Sequence, residues 1–281
     1  MVTRFYKYHA LGNDYLVLNP SDLEGALDSF RVQRICHRNY GLGSDGILLG
    51  PLGTSEGDFG LRIFNPDGSE AEKSGNGLRI FSRYLWDQGL VRGTPFTIMT
   101  PGGKVESVVK DNGRTVMVQM GQASFDSTRI PVTGEPREVL NETMVVGGQE
   151  LRFCAATVGN PHCVVLRNHV SEEEARRLGP LIENDSRFPN RTNVQFMKVL
   201  DRSHIQIEIW ERGAGYTLAS GSSSSAAAAV AHRLGFCGEH ITVCMPGGDL
   251  DIRLSEDFSI QMTGPVTKVA EGTLSAEMFD S

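Results

Sequence analysis

The stretch ERGAGYTLASGSSSSAAAAVAHRLG, residues 211–235, decides the fold. A loop punctuated by Gly213 and Gly215 runs into Ala219, Ser220, Gly221 and Ser222, then into small and apolar residues. Ala226 to Ala229, followed by Val230, Ala231 and Leu234, is strong helix-forming material. A helix apolar on nearly every side is buried inside a domain. Its start is rich in hydroxyl caps. Such a start offers unpaired backbone N–H groups and a positive dipole end to an anion.

The same pattern occurs earlier in the chain. Residues 61–89, LRIFNPDGSEAEKSGNGLRIFSRYLWDQG, run parallel to residues 207–235, IEIWERGAGYTLASGSSSSAAAAVAHRLG. Both read as a strand, a glycine turn, Ser-Gly and a helix. Ser74 matches Ser220 at the same offset as Phe64 matches Trp210, and Pro101 matches Pro246 at one residue less. Around those prolines TIMTPGGKVES (97–107) echoes TVCMPGGDLDI (242–252), and VMVQMG (116–121) then echoes SIQMTG (259–264). Four elements in one order at near-constant spacing predict a duplication: two similar domains, each with a helix among strands. Two copies are too few for a solenoid.

At 281 residues the chain has room for two domains with real cores. The 40% hydrophobic and 22% charged fractions are those of a globular protein. A net charge of −7 argues against general nucleic-acid binding. No apolar run approaches the roughly 20 residues of a membrane span, and the N-terminus lacks a basic-then-apolar signal. Five cysteines (Cys36, Cys154, Cys163, Cys237 and Cys244) are an odd count with no paired-metal spacing. Reduced thiols in a cytoplasmic protein are expected.

Along the chain, residues 5–18 read as two strands joined at Leu11 to Asp14, and residues 22–40 as a helix carrying Leu27, Phe30, Ile35 and Cys36. Gly41 to Gly46 is a weak glycine-rich loop without the Lys-Ser/Thr ending of a phosphate loop, so no nucleotide site is expected. Strands follow at 47–50, 60–64 and 97–99, with a helix over 75–86, and 116–120 closes the first domain. Residues 122–138 form a crossover. A strand over 155–166 is interrupted at Gly159 to His162, a helix covers 172–182, and strands near 193 and over 204–210 lead into the second Ser-Gly motif. Residues 266–280 return to the first domain. The expected domains are therefore 1–121 with about 267–281, and 122–266.

Two Ser-Gly helix starts in related domains suit a carboxylate, because backbone donors and dipoles converge on it. The polar candidates around it lie in glycine turns: Asn13, Asn65, Asn76, Asn160, His162, Asn193, Glu211 and Arg212. Each asparagine alone is better explained by turn formation than by function. Glu211 and Arg212 fit a surface charge pair, a buried ion pair, or a grip on the ammonium and carboxylate of an amino-acid head group.

HALGNDY (9–15), NPDGSEAEKSGNGLR (65–79), GNPH (159–162), RTNVQF (191–196) and ERGAGYTLASGSSS (211–224) resemble, in order and over essentially the whole chain, the motifs of the diaminopimelate epimerases. These are cofactor-independent amino-acid epimerases of lysine and peptidoglycan biosynthesis. The resemblance implies an α/β (α+β) fold of two pseudo-symmetric domains, each a mixed barrel-like sheet around a central helix, with the site in the cleft between them. It implies a small-molecule amino-acid substrate, no cofactor, no metal and a homodimer. The substrate carboxylate is then held by backbone at Gly75, Asn76, Gly221 and Ser222. The far end belongs to Asn65, Asn160, Asn193, Glu211 and Arg212, with Asn13 and His162 lining the site.

One departure lies at the centre of the mechanism. The family uses two cysteines, one on each face of the α-carbon, and the matching positions are Ser74 and Ser220. A thiol is tuned by a helix N-terminus into a usable base, whereas a serine needs a neighbouring base. None of the five cysteines falls in either motif. The family also commonly carries glutamine at Gly46 and glutamate at Tyr216. Three explanations stay open: a double Cys-to-Ser variant that traps substrate; a paralogue in which the serines act with His162 or another base; and a changed reaction on the same scaffold. The expected function is a two-base epimerase or racemase, diaminopimelate-like, with Ser74 and Ser220 in the acid and base positions. The alternatives are an isomerase or lyase of the phenazine-biosynthesis type, and a non-catalytic amino-acid binder.

Overall fold

The computed structural model describes residues 3–279. The chain folds as two compact units, one running up to Val118 and resuming at Gly264, the other spanning Gln119–Thr263. The sequence reading set these boundaries at Gly121 and Val266. Of the expected returning segment, Asp280 and Ser281 lie outside the described residues.

The first unit opens with strands β1 (Arg4–Ala10) and β2 (Asn13–Leu18), followed by helix α1 (Ser29–Cys36). Then come β3 (Ile47–Leu52), β4 (Phe59–Phe64), the short β5 (Glu70–Ala71) and helix α2 (Gly75–Asp87). Strands β6 (Phe96–Thr100), β7 (Gly103–Lys110) and β8 (Thr115–Gln122) complete the run. β1 and β2 form an antiparallel hairpin, β2 and β3 run parallel across α1, and β3 and β4 are antiparallel. β4 and β6 run parallel across α2, and β6, β7 and β8 form a meander.

The second unit repeats this order. β9 (Glu142–Val146) leads into β10 (Gln149–Thr157) and β11 (Pro161–Leu166), then helix α3 (Glu172–Glu183) and β12 (Asn193–Asp201). β13 (His204–Glu211), β14 (Gly215–Thr217), helix α4 (Gly221–Arg233), β15 (His240–Met245), β16 (Gly248–Leu254) and β17 (Ser259–Pro265) follow. β10 and β11 are antiparallel, β11 and β12 parallel across α3, and β12 and β13 antiparallel. β13 and β15 run parallel across α4, and β15, β16 and β17 form a meander. The two pairing sequences match strand for strand, as the internal repeat predicts. A last strand, β18 (Thr267–Thr273), pairs antiparallel with β1 and so belongs to the first unit.

Each unit wraps its sheet round one helix. α4 packs against β10, β11, β12, β13, β15 and β16. Ser223 to Ala231 are all buried, so a helix with almost no polar face is enclosed on every side. Its alanines make this possible, because small side chains let six strands close on one cylinder. α2 packs against β1, β2, β3 and β7. It carries larger residues, the fully buried Arg79, Phe81 and Tyr84, where α4 carries Ser225, Ala227 and Val230. Both helices end alike: Gly89 (φ 71°) and Gly235 (φ 73°) take left-handed backbone. There the Leu90 and Phe236 N–H groups reach back to the Leu85 and Ala231 carbonyls at 3.0 Å.

Two expectations need correction. The helix read over residues 22–40 is only α1, Ser29–Cys36. Gly25 breaks the run at φ 81°, and the Asp28 carboxylate caps a new start by accepting the Arg31 N–H at 2.8 Å. At the other end His37 turns to extended backbone. Phe30, expected in the core, is 57% exposed, and Val32 is buried in its place with Ile35 and Cys36. The interrupted strand over 155–166 is instead two strands of a hairpin, with Pro161 and His162 already inside β11. Among the described residues no helix is long and apolar enough to cross a membrane.

Candidate active site

The two Ser-Gly motifs fold into near-identical helix starts. Ser74 caps α2 from extended backbone (φ −140°, ψ 120°), and its hydroxyl accepts the Gly77 N–H at 3.1 Å. Ser220 caps α4 at φ −145°, ψ 125°, accepting the Ser223 N–H at 3.5 Å. The next N–H groups, of Leu78 and Ser224, already bond to the Ser74 and Ser220 carbonyls at 2.8 and 3.0 Å. That leaves Gly75 and Asn76, and Gly221 and Ser222, with N–H groups outside the helix ladders, where the positive dipole end lies. Each start is thus a donor cluster for an anion beside a serine hydroxyl.

At the α2 start a polar chain fixes the geometry. Asn76 Nδ2 donates to Asn13 Oδ1 at 2.9 Å, and Asn13 Nδ2 donates to Asp45 Oδ2 at 2.8 Å. Behind Asn76, the Arg79 guanidinium donates to Asn76 Oδ1 at 2.5 Å and to the Pro265 carbonyl at 3.3 Å. Arg79 is fully buried, and burial pushes its pKa down to about 9. It therefore stays charged at neutral pH and adds positive potential beneath the helix start. Asp14 completes the cluster with Lys7 at 2.9 Å and Arg38 at 2.9 Å. Its burial opposes ionisation, but the hydrogen bonds and charges of Lys7 and Arg38 win and hold its carboxyl below the usual range.

Asn65 stands apart from this chain of contacts. Its N–H and Nδ2 both bond Ser69, at 2.8 and 3.0 Å, and its carbonyl accepts the Gly68 N–H at 3.0 Å. The turn reading of this asparagine is what these bonds describe, and its half-buried side chain lies at the exit of β4.

In the second unit the parallel register of β11 and β12 sets His162 directly beside Asn193. Asn193 Nδ2 donates to the Pro161 carbonyl at 2.9 Å, and its Oδ1 accepts the Arg212 N–H at 3.0 Å. His162 Nε2 and Asn160 Oδ1 are 2.9 Å apart. Asn160, His162, Asn193 and Arg212 therefore form one connected group. Glu211 Oε1 accepts from Thr217 Oγ1 at 2.8 Å, and Arg212 Nη1 donates to the Asn190 carbonyl at 3.0 Å. Both side chains are half-buried.

His162 is completely buried, and burial, helped by the Arg212 charge, pushes its pKa down to about 3. The ring is neutral at pH 7. Gln195 lies near it and favours the protonated form, yet neither His162 Nδ1 nor Gln195 Oε1 makes a hydrogen bond. The Gln195 amide instead donates to Ser223 Oγ at 2.9 Å, tying β12 to the first turn of α4. Burial also raises the pKa of all five cysteine thiols. Among the described residues no three His, Cys, Asp or Glu side chains gather as a metal site.

Several residues of this arrangement escape a sequence reading. Glu183, at the end of α3, accepts from Trp210 Nε1 at 2.7 Å, the Gly213 N–H at 3.0 Å and Arg191 at 3.0 Å. It thereby holds the loop that presents Arg212. Tyr15 places its hydroxyl 3.3 Å from Ser74 Oγ. Tyr216, where the family commonly carries glutamate, donates its hydroxyl to Glu208 at 2.7 Å, and Arg176 stacks 4.5 Å over its ring.

With this geometry in hand, comparison with known proteins is decisive. The family model for diaminopimelate epimerase matches residues 5–126 and 154–269. The chain belongs to the diaminopimelate epimerase family. A relative from Nostoc sp., named diaminopimelate epimerase 2, is 65% identical over 276 residues, covering 98% of this chain and 97% of its own. The diaminopimelate epimerase of Moorella thermoacetica is 38% identical over 278 residues, covering 95% and 98%. Membership puts the chain in a family of isomerases. Among solved structures, a hydroxyproline epimerase from Agrobacterium vitis superposes with a TM-score of 0.69 at 16% identity, covering 97% of this chain and 91% of that one. A phenazine biosynthesis protein from Bacillus anthracis gives 0.66 at 16%, covering 98% and 99%. At such identities the likeness speaks for the fold alone.

Proposed function

We propose that this chain is a pyridoxal-phosphate-independent epimerase that interconverts LL- and meso-diaminopimelate by two-base proton transfer at Cα. The observation carrying this reading is the pair of serine-capped helix starts, alike in dihedral angles and in the backbone donors they expose. In this reading Ser74 and Ser220 serve one α-carbon, one taking its proton and the other supplying a proton to the opposite face. The α-carboxylate is bound by the N–H groups of Gly75, Asn76, Gly221 and Ser222. As Cα loses its proton, charge grows on that carboxylate, and donors already aimed at it need no reorganisation. Asn13 and Asn76 shape the first helix start. Asn65, Asn160, Asn193, Glu211 and Arg212 recognise the distal amino-acid end, the connected group around Asn193 supporting its half of that role. Neutral His162 lines the site as a hydrogen-bonding group; with its pKa near 3 it is too weak a base to replace a thiolate at neutral pH. A cytoplasmic location and a homodimer belong to the same proposal and rest on the family resemblance.

The test is α-hydrogen exchange followed by NMR in deuterium oxide. The panel holds diaminopimelate isomers, lysine, ornithine, histidine and glutamate, run with this chain and with its Ser74→Cys/Ser220→Cys variant. Exchange of diaminopimelate with inversion by the unmodified chain is the expected result. Silence from it, with exchange restored by the two cysteines, would mean a disabled epimerase with its pocket intact. Silence from both would leave a lyase, an isomerase or a binder.

A further inference from the structure

A serine in an acid/base position needs a neighbour with which to share its proton. The first unit supplies one. Tyr15, on β2, is 93% buried and lies with its hydroxyl 3.3 Å from Ser74 Oγ. Ser74 Oγ carries one proton and two lone pairs, one of them engaged by the Gly77 N–H. Donating its proton to the tyrosine oxygen leaves Ser74 Oγ one lone pair open to a substrate.

The backbone at Gly46, just before β3, makes room for this ring. A Cβ at residue 46 would stand 2.6 Å from Tyr15 Cε1 and 2.5 Å from the Phe64 carbonyl oxygen. Both are closer than real Cβ contacts allow. The Leu16 N–H bonds to the Gly46 carbonyl at 3.1 Å, so β2 and the approach to β3 are locked together at this point. Tyr15 is held against Ser74 by packing on one side and by the absence of a side chain on the other.

We propose that Tyr15 is the positioning and proton-relay residue for Ser74, and that Gly46 is the space that admits it. This rests on the epimerase reading above. A phenol is far more acidic than an aliphatic hydroxyl, with an ordinary pKa of about 10. When Ser74 acts as base, Tyr15 has first released its proton to solvent and is the phenolate. Ser74 Oγ takes the α-proton while its own proton passes to Tyr15 Oη. The Cα–H and old Oγ–H bonds break, new Oγ–H and Oη–H bonds form, and the electron pair of the Cα–H bond stays on the substrate. Negative charge moves from the phenolate to the substrate carbanion. When Ser74 acts as acid the steps reverse: it gives its proton to Cα and refills from Tyr15. A thiolate at position 74 would carry its own charge and make the relay dispensable.

The experiment is a double-mutant cycle read by α-hydrogen exchange of diaminopimelate. Tyr15→Phe keeps the ring and removes only the hydroxyl, so the packing against Gly46 is retained. In the serine chain it is expected to lower kcat about 100-fold or more with KM changed less than about threefold. In the Ser74→Cys/Ser220→Cys background the same substitution is expected to cost at least tenfold less. Equal losses in both backgrounds would show a structural role only and overturn the relay. So would a rise in KM at unchanged kcat. If the serine chain exchanges and Tyr15→Phe exchanges as fast, the relay alone falls. If the serine chain exchanges nothing, with or without activity in the cysteine pair, the serine-based reaction falls and takes the relay with it.

Discussion

His162 offers a measurement that needs no substrate. Burial pushes its pKa from 6.5 down to about 3 in the folded chain. From pH 7 to near 3 the folded ring stays neutral, while in the unfolded chain it takes up a proton below about 6.5. The unfolded state then binds more protons, so this residue makes stability rise with pH across that window. The stabilisation is complete above pH 6.5 and is lost progressively as the pH falls toward 3. With those two pKa values, His162 alone removes about 2 kcal/mol between pH 7 and pH 5. Urea unfolding at the two pH values, in this chain and in His162→Gln, isolates the term because other titrating groups are common to both. Trp210 lies in the second unit beside Glu183, so its fluorescence in a Trp86→Phe background reports that unit. The loss of stability on going to pH 5 should be about 2 kcal/mol smaller in the glutamine variant. Equal losses in the two proteins would refute the buried, neutral ring and, with it, the argument that His162 cannot be the missing base.

Arg212→Ala should weaken diaminopimelate binding about 10-fold or more by titration calorimetry, since a charge-assisted donor to the distal carboxylate is lost; unchanged affinity would remove Arg212 from the site. Ala227→Leu adds methylenes at a position with no accessible surface, inside the ring of strands round α4. It should cost about 1–3 kcal/mol in urea unfolding followed at Trp210. An unshifted transition would mean that the enclosure of α4 is looser than its alanines imply.

The duplication was legible because each copy spells the same physical instructions. Ser74 and Ser220 read as caps, and the alanine run as a helix with no polar face to expose. Those are local properties, and the strand pairing follows from repeating them. Residues 22–40 were misread for the opposite reason. Apolar spacing alone suggests a long helix, but Gly25, the Asp28 cap and the turn at His37 cut it to a third of the expected span or a little more. The candidate site divides the same way. Asn13, Asn76, Asn160, His162, Asn193 and Arg212 could be named from their motifs, yet their partners could not. Arg79 meets Asn76 because helix geometry stacks residues three apart, which the sequence could have suggested. Tyr15 meets Ser74 across 59 positions, and Glu183 meets Gly213 across 30; only the register of β2, β3 and the α3 end brings them together. Read alone, Ser74 and Ser220 offer no base, because an aliphatic hydroxyl needs a neighbour to act. Tyr15 stands against Ser74, and the lack of a side chain at Gly46 leaves room for its ring. The Tyr15 cycle distinguishes a serine that shares its proton with this phenol from one that does not.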